Sequence, residues 1–151
     1  MRLTQHTDYA IRALMFAASR HIRQGPEALS SIQEIAEAYG ISRNHLMKVV
    51  NRLAQAGMLQ TVRGRNGGLR LGRDPADLRL GEVVRVVEED MALVECFGGE
   101  SSCPLNDGCR LASALDQART DFLASLDRHT LADLVPRAKA QQIISLTMLR
   151  R

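Results

Sequence analysis

The stretch YGISRNHLMKVVNRLAQAGMLQTVRGRNGGLRLG, residues 39–72, decides the fold. A helical pattern closes at Gly40, and Ser42 can cap a third helix in which Leu46, Val49, Val50 and Leu53 face the core and Gly57 is the stop. Two short helices joined by a Gly-containing turn form the helix-turn-helix pattern. Beyond Gly57, strand-like pieces Leu59 to Arg63 and Leu69 to Leu71 flank Gly64, Gly67 and Gly68, which permit the positive φ values of a tight hairpin. Such a hairpin is a wing, and its tip carries Arg63, Arg65 and Asn66.

Upstream, Ile11, Leu14, Met15, Ala18 and Ile22 recur at helical spacing, so residues 8–22 read as a first helix started near Thr7 or Asp8. Ser30 and Ser31, each with Gln33 or Glu34 three residues on, offer two overlapping capping boxes for the second helix, in which Ile32, Ile35, Ala36 and Tyr39 are apolar. Downstream, residues 80–89 read as a connecting helix with Val83, Val84, Val86 and Val87 buried. From about Arg110 a long helix carries Leu111, Leu115, Ala118, Phe122, Leu126 and His129 on one stripe, which can pack onto its own chain or onto a second copy; a second copy is favoured, because reading two half-sites of a duplex normally needs two-fold symmetry. Residues 138–149 form a last amphipathic piece. The expected fold is mostly α with a small β-hairpin wing. A winged helix-turn-helix covers residues 1–75, a connecting helix and cysteine loop 76–109, and a dimerisation helix plus a C-terminal helix 110–151.

At 151 residues and 45% hydrophobic content the chain can bury one core. It contains no apolar run of membrane-spanning length and its start lacks the pattern of a secretion signal, which points to the cytoplasm and away from a membrane. The net charge of +3 is unevenly divided: residues 1–75 carry +6 and residues 76–151 carry −3. The first half therefore suits a polyanion. Aromatic residues make up 3% of the chain and there is no Trp, so little is available to stack on unpaired bases and duplex DNA is the better fit.

If the third helix enters the major groove, its first turn offers Arg43, Asn44 and His45, with Lys48 and Asn51 following on the same polar face. Arg and Asn make bidentate contacts to guanine and adenine. Arg63 and Arg65 on the glycine hairpin suit the narrow minor groove. A solvated helix face is the plain alternative, and it weighs most on Lys48 and Gln55.

All three cysteines, Cys96, Cys103 and Cys109, lie in one Gly-, Ser- and Pro-bearing segment. Their spacing does not match zinc knuckles and contains no C-x-x-C, whereas thiolates on a long loop suit an iron-sulfur cluster. A reduced, unliganded loop and a thiol sensor remain open on spacing alone. Three thiols leave one coordination position, which Asp8, His6, a bound solute or a residue of a second subunit can fill. No nucleophile elbow, phosphate-binding glycine motif or H-E-x-x-H points to an enzyme.

The stretches LTQHTDYAIRAL, YGISRNHLMKVVNRLAQAG, VRGRNGGLRLG and CRLASALDQARTDFLASLDRHTLADLV together resemble the nitric-oxide-sensing branch of the Rrf2 family of winged-helix iron-sulfur regulators, over roughly residues 1–135. The resemblance implies a homodimeric repressor of transcription that leaves its operator when nitric oxide destroys the cluster. It implies a four-iron cluster, with a two-iron cluster as the alternative, on Cys96, Cys103 and Cys109, with Asp8 as the remaining ligand. The cluster-assembly branch carries a histidine shortly after the third cysteine, where this chain has Ala112. Arg12, one turn after Asp8, is placed to pair with that carboxylate when the cluster is lost. The competing reading is an iron-sulfur electron carrier or thiol redox protein without a DNA role, which leaves the Arg-Asn-His helix start unexplained.

Overall fold

Thr4, not Thr7 or Asp8, opens the first helix. Its hydroxyl accepts the Thr7 N–H and α1 (Gln5–Gln24) follows, three residues longer at its start than the apolar periodicity indicated. Within this first turn Thr7 is buried and acts as a core position. The computed structural model describes residues 3–98 and 109–135. Cys103 and the expected helix over 138–149 lie outside the described residues.

Ser31 wins the choice of caps for α2 (Ile32–Tyr39). Its side chain accepts the Glu34 N–H while the Glu34 carboxylate accepts the Ser31 N–H. Ser30 is taken by an isolated antiparallel bridge to Leu69, with hydrogen bonds of 2.8 Å in both directions. Gly40 ends the helix at φ 64, a left-handed conformation that strains any side chain bearing a Cβ. The turn leads into α3 (Arg43–Gln55), where Leu46, Val49, Val50 and Leu53 are buried as the spacing predicts. Ser42 occupies the cap position without a side-chain hydrogen bond.

The wing pairs β1 (Leu59–Val62) antiparallel with β2 (Gly68–Leu71), in a register that places Leu59 opposite Leu71 and Val62 opposite Gly68. The connection is therefore a five-residue loop over 63–67, not a tight turn. Of its glycines only Gly64 uses positive φ, at 114. Gly67 and Gly68 are needed for space instead, since a Cβ would run into the Val62 and Ser30 carbonyl oxygens respectively.

The connecting helix is α4 (Leu80–Val87), with Val83, Val84 and Val87 buried and Val86 only partly so. It packs against α1 and α3 on one side and α5 (Arg110–Asp127) on the other. A 3-10 turn spans Glu95–Gly98 before the cysteine segment. No residue of α5 is buried, and Leu111 is 65% exposed. The helix stops at Asp127, so His129 falls beyond it and is exposed rather than on the stripe.

Thr130 then caps a short helix, α6 (Leu131–Leu134), that sequence periodicity missed; it carries Leu131 and Val135 at 0% exposure into the core beside α1. The resulting core is one cluster, in which α1 contributes Ala10, Ala13, Leu14, Phe16, Ala17 and Ala18. Among the described residues no helix is long and apolar enough to cross a membrane.

The α4–α5 contact rests on Gly81, where a Cβ would meet the Asp127 carboxylate and stand 2.9 Å from the Leu123 carbonyl oxygen. Because backbone cannot swing aside, Gly81→Ala is expected to lower stability by about 1–3 kcal/mol in a denaturant titration. A neutral result means that α5 does not lie this close to α4.

Candidate nucleic-acid interface and cysteine centre

At 100° per residue, the side of α3 opposite its buried stripe is formed by Asn44, Lys48, Asn51 and Gln55, all exposed. Arg43 stands on one flank, lining a cleft with Ser31, Thr61, Val62 and Gly67 at the base of the wing. His45 and Arg52 stand on the other flank, and both are engaged within the protein. The His45 ring stacks on Tyr9 of α1, with centroids 6.4 Å apart and planes 26° from parallel. Arg52 donates from Nε to the Val86 carbonyl oxygen at 2.9 Å. Arg63, Arg65 and Asn66 are exposed in the wing loop. The side chains predicted to face a duplex thus form two exposed groups, one on α3 and one in the wing loop, with Arg43 beside the base of the wing and His45 stacked on Tyr9.

Asp8 lies one residue from Tyr9. Its Oδ2 accepts from Arg12 Nε at 2.9 Å, with the two side chains 50% and 44% exposed. An exposed i, i+4 pair of this kind contributes only about 0.3–0.5 kcal/mol. The Arg12 guanidinium also sits 5.7 Å from the centroid of Tyr39, the last residue of α2 before the Gly40 turn. Burial pushes the Tyr39 hydroxyl up to about 12, against the opposing pull of the Arg12 charge.

Two of the three cysteines are described. Cys96 lies on the 3-10 turn and Cys109 at the N-cap of α5; both are half-buried and free. Neither thiol is in a disulfide, and Cys109 makes no side-chain capping bond. Soft sulfur donors outside any disulfide, one on a 3-10 turn and one at a helix N-cap, fit an iron-sulfur cluster. Next to Cys96, the Phe97 ring is covered by the Arg119 guanidinium of α5 at 5.4 Å, which ties the cysteine turn to that helix.

Sequence reasoning missed Glu88. This residue is 8% exposed, and its Oε2 accepts from the Thr4 N–H at 3.1 Å, the Thr4 hydroxyl at 3.1 Å and the Thr7 hydroxyl at 2.5 Å. It joins the end of α4 to the start of α1. A carboxylate just past an apolar helix gives no sign of burial in sequence; the threonines that receive it lie more than 80 positions away.

A recognition helix, an arginine-bearing wing and a basic first half define a winged helix-turn-helix transcription regulator. The match to the family model for Rrf2, an iron-dependent transcriptional regulator, spans residues 3–137, and the chain belongs to the Rrf2 family. It is 49% identical over 136 residues to the HTH-type transcriptional regulator NsrR of Bacillus subtilis (strain 168), covering 89% of this chain and 90% of that one. It is 43% identical over 136 residues to the protein of the same name from Shouchella clausii, covering 89% of each chain. Among solved structures it is similar to CymR (YrzC), the global cysteine regulator of B. subtilis, with a TM-score of 0.71 and 27% identity over 89% of this chain and 95% of that one. T. potens IscR gives 0.69 and 28%, over 94% and 91%.

The Tyr39 environment can be read by ultraviolet titration of a Tyr9→Phe variant, in which Tyr39 should ionise near 12. The folded value lies above the ordinary 10.0, so stability is expected to fall as pH rises from about 10 towards about 12. Arg12→Met should move the ionisation higher still. Ionisation near 10 would mean that the ring is not packed between Arg12 and the core.

Proposed function

We propose that this protein is a homodimeric, cytoplasmic repressor of transcription that senses nitric oxide through an iron-sulfur cluster. Cys96, Cys103 and Cys109 hold the cluster, of the four-iron type, and Asp8 supplies the remaining ligand. When bound, such a centre supplies thiolate-held iron that a diatomic can attack, most readily where the donor is a hard oxygen. The relatives named NsrR support the reading. So do two free, half-buried thiols and the departure from a histidine ligand at Ala112.

The observation that carries it is the position of Asp8. Held only by an exposed ion pair, it adjoins Tyr9, which stacks on the recognition helix, while its partner Arg12 covers Tyr39 at the helix-turn-helix corner. Drawing Asp8 away from Arg12 takes little free energy, yet it alters contacts on both sides of the DNA-reading turn. Arg12 is thus the switch residue: paired with Asp8 when the cluster is absent and released when Asp8 ligates.

The surface of α5 supports dimerisation. An 18-residue helix with no buried residue exposes Leu111 and leaves Leu115, Phe122 and Leu126 half-covered, a face that a second copy can bury. A dimer also sets two recognition helices for successive major grooves. In each, Asn44, Lys48 and Asn51 face the base edges, with Arg43 and His45 at the sides, and Arg63, Arg65 and Asn66 reach the minor groove.

Anaerobically isolated protein is expected to run in native mass spectrometry as a dimer carrying the mass of one cluster per chain. It should retain a duplex enriched from a random-sequence pool and release it after a nitric-oxide donor. Replacing all three cysteines by serine should abolish both cluster and retention; undiminished DNA binding by that variant would defeat the reading. Arg43→Ala should weaken binding by about 1–3 kcal/mol and relax preference at one base pair. A uniform loss on all sequences would instead make Arg43 a phosphate contact.

A further inference from the structure

The flank of α3 that bears His45 and Arg52 is gripped by two elements that are also fastened to each other. Tyr9 of α1 stacks on His45, Arg52 donates to the Val86 carbonyl in the last turn of α4, and Glu88, two residues on, binds Thr4 and Thr7 at the head of α1. The three contacts close a triangle around one edge of the recognition helix. Its α4 corner leads within eight residues of Glu88 to Cys96, and its α1 corner holds Asp8.

We propose that Arg52 and Glu88 are positioning residues that carry the state of the cysteine segment into the orientation of α3. The chemistry favours this assignment over simple fold support. Arg52 is exposed on α3, yet its Nε satisfies a carbonyl at the end of α4, where the helix leaves acceptors without intrahelical donors. Glu88 gathers three donors at the opposite kind of helix end, where α1 has unpaired N–H groups and a partial positive charge. A buried carboxylate satisfied in this way resists being pulled free, because leaving those donors unpaired is unfavourable by more than a surface pair is. Displacement of the chain at Cys96 is therefore passed to α1 and α3 together rather than absorbed at the end of α4. The same fastening lets a change at Asp8 act on α3 from the other corner.

The inference rests on the proposed cluster-gated DNA binding, and the test separates the two. For the full-length dimer, affinity for the enriched duplex is measured in the cluster-loaded and the cluster-free form, and the ratio of the two is the readout. Arg52→Met keeps the apolar stem and removes the donor, and Glu88→Ala removes the acceptor. Each is expected to lower the wild-type ratio at least about fivefold, the lower end of ordinary coupling between sites. Glu88→Gln, whose amide oxygen can still accept from the threonines, should restore most of the ratio. In the cluster-free protein, amide hydrogen exchange in α3 should quicken in Arg52→Met while exchange in α2 is unchanged. Equal weakening of both forms would make Arg52 a phosphate contact or Glu88 a plain fold element and would overturn the proposal, as would an unchanged ratio. A wild-type protein that holds the duplex equally in both forms overturns the underlying reading; a switching wild type with switching variants overturns the triangle alone.

Discussion

Four alanines on α1, Ala10, Ala13, Ala17 and Ala18, are at most 2% exposed, and their lack of bulk sets how closely the rest of the protein can gather. The interaxial distance between packed helices follows the size of the side chains at the contact. With methyl groups alone on much of its buried surface, α1 admits α3, α4, α6 and strand β2 around a single rod. Phe16 and Leu14, at 0% exposure, fill what the alanines leave. Asp8, Tyr9 and Arg12 belong to that rod, so their placement relative to the recognition helix is inherited from the core.

The attachment of α5 is of another kind. It meets the rest of the chain through the close approach at Gly81 and through Arg85, whose guanidinium grips both oxygens of Asp127 at 2.9 and 2.5 Å. That hydrogen bonding holds the Asp127 carboxyl below its ordinary range and raises Arg85 correspondingly. Both groups are largely solvated, so the pair fixes geometry more than it adds stability. Together with Arg119 over Phe97, the helix is held at points near its end and beside the cysteine turn, while its apolar stripe is only partly covered.

Where the sequence stated the fold openly, it did so through local rules. The Ser31–Glu34 capping box, the Gly40 corner and the buried stripe Leu46, Val49, Val50 and Leu53 all act within one or two helical turns, so their spacing alone identifies them. The wing was legible as a hairpin but not as a five-residue loop, because Gly64, Gly67 and Gly68 look alike in sequence and serve two different needs, one conformational and two steric. Long-range pairings were hidden. The Ser30–Leu69 bridge, the return of Leu131 and Val135 to the core and the Glu88 contacts with Thr4 and Thr7 join residues dozens of positions apart. At the candidate site, the helix-borne residues were found from type and position. The ring that stacks on His45 and the carbonyl that engages Arg52 were not, since no pattern in one helix announces what another helix brings to its edge.

The contrast between the Asp8 and Glu88 carboxylates explains how one end of α1 can be firm and changeable at once. Glu88 is buried, accepts three hydrogen bonds and anchors the helix start to α4. Asp8, one turn on, is half-exposed and held by a single flexible arginine. Free energy for releasing each differs accordingly: a few tenths of a kcal/mol for the surface pair, and on the order of 1–3 kcal/mol for each donor orphaned inside. The junction of α1 with α4 at Glu88 is therefore the firm contact at this end of the helix, and the Asp8–Arg12 pair the loose one.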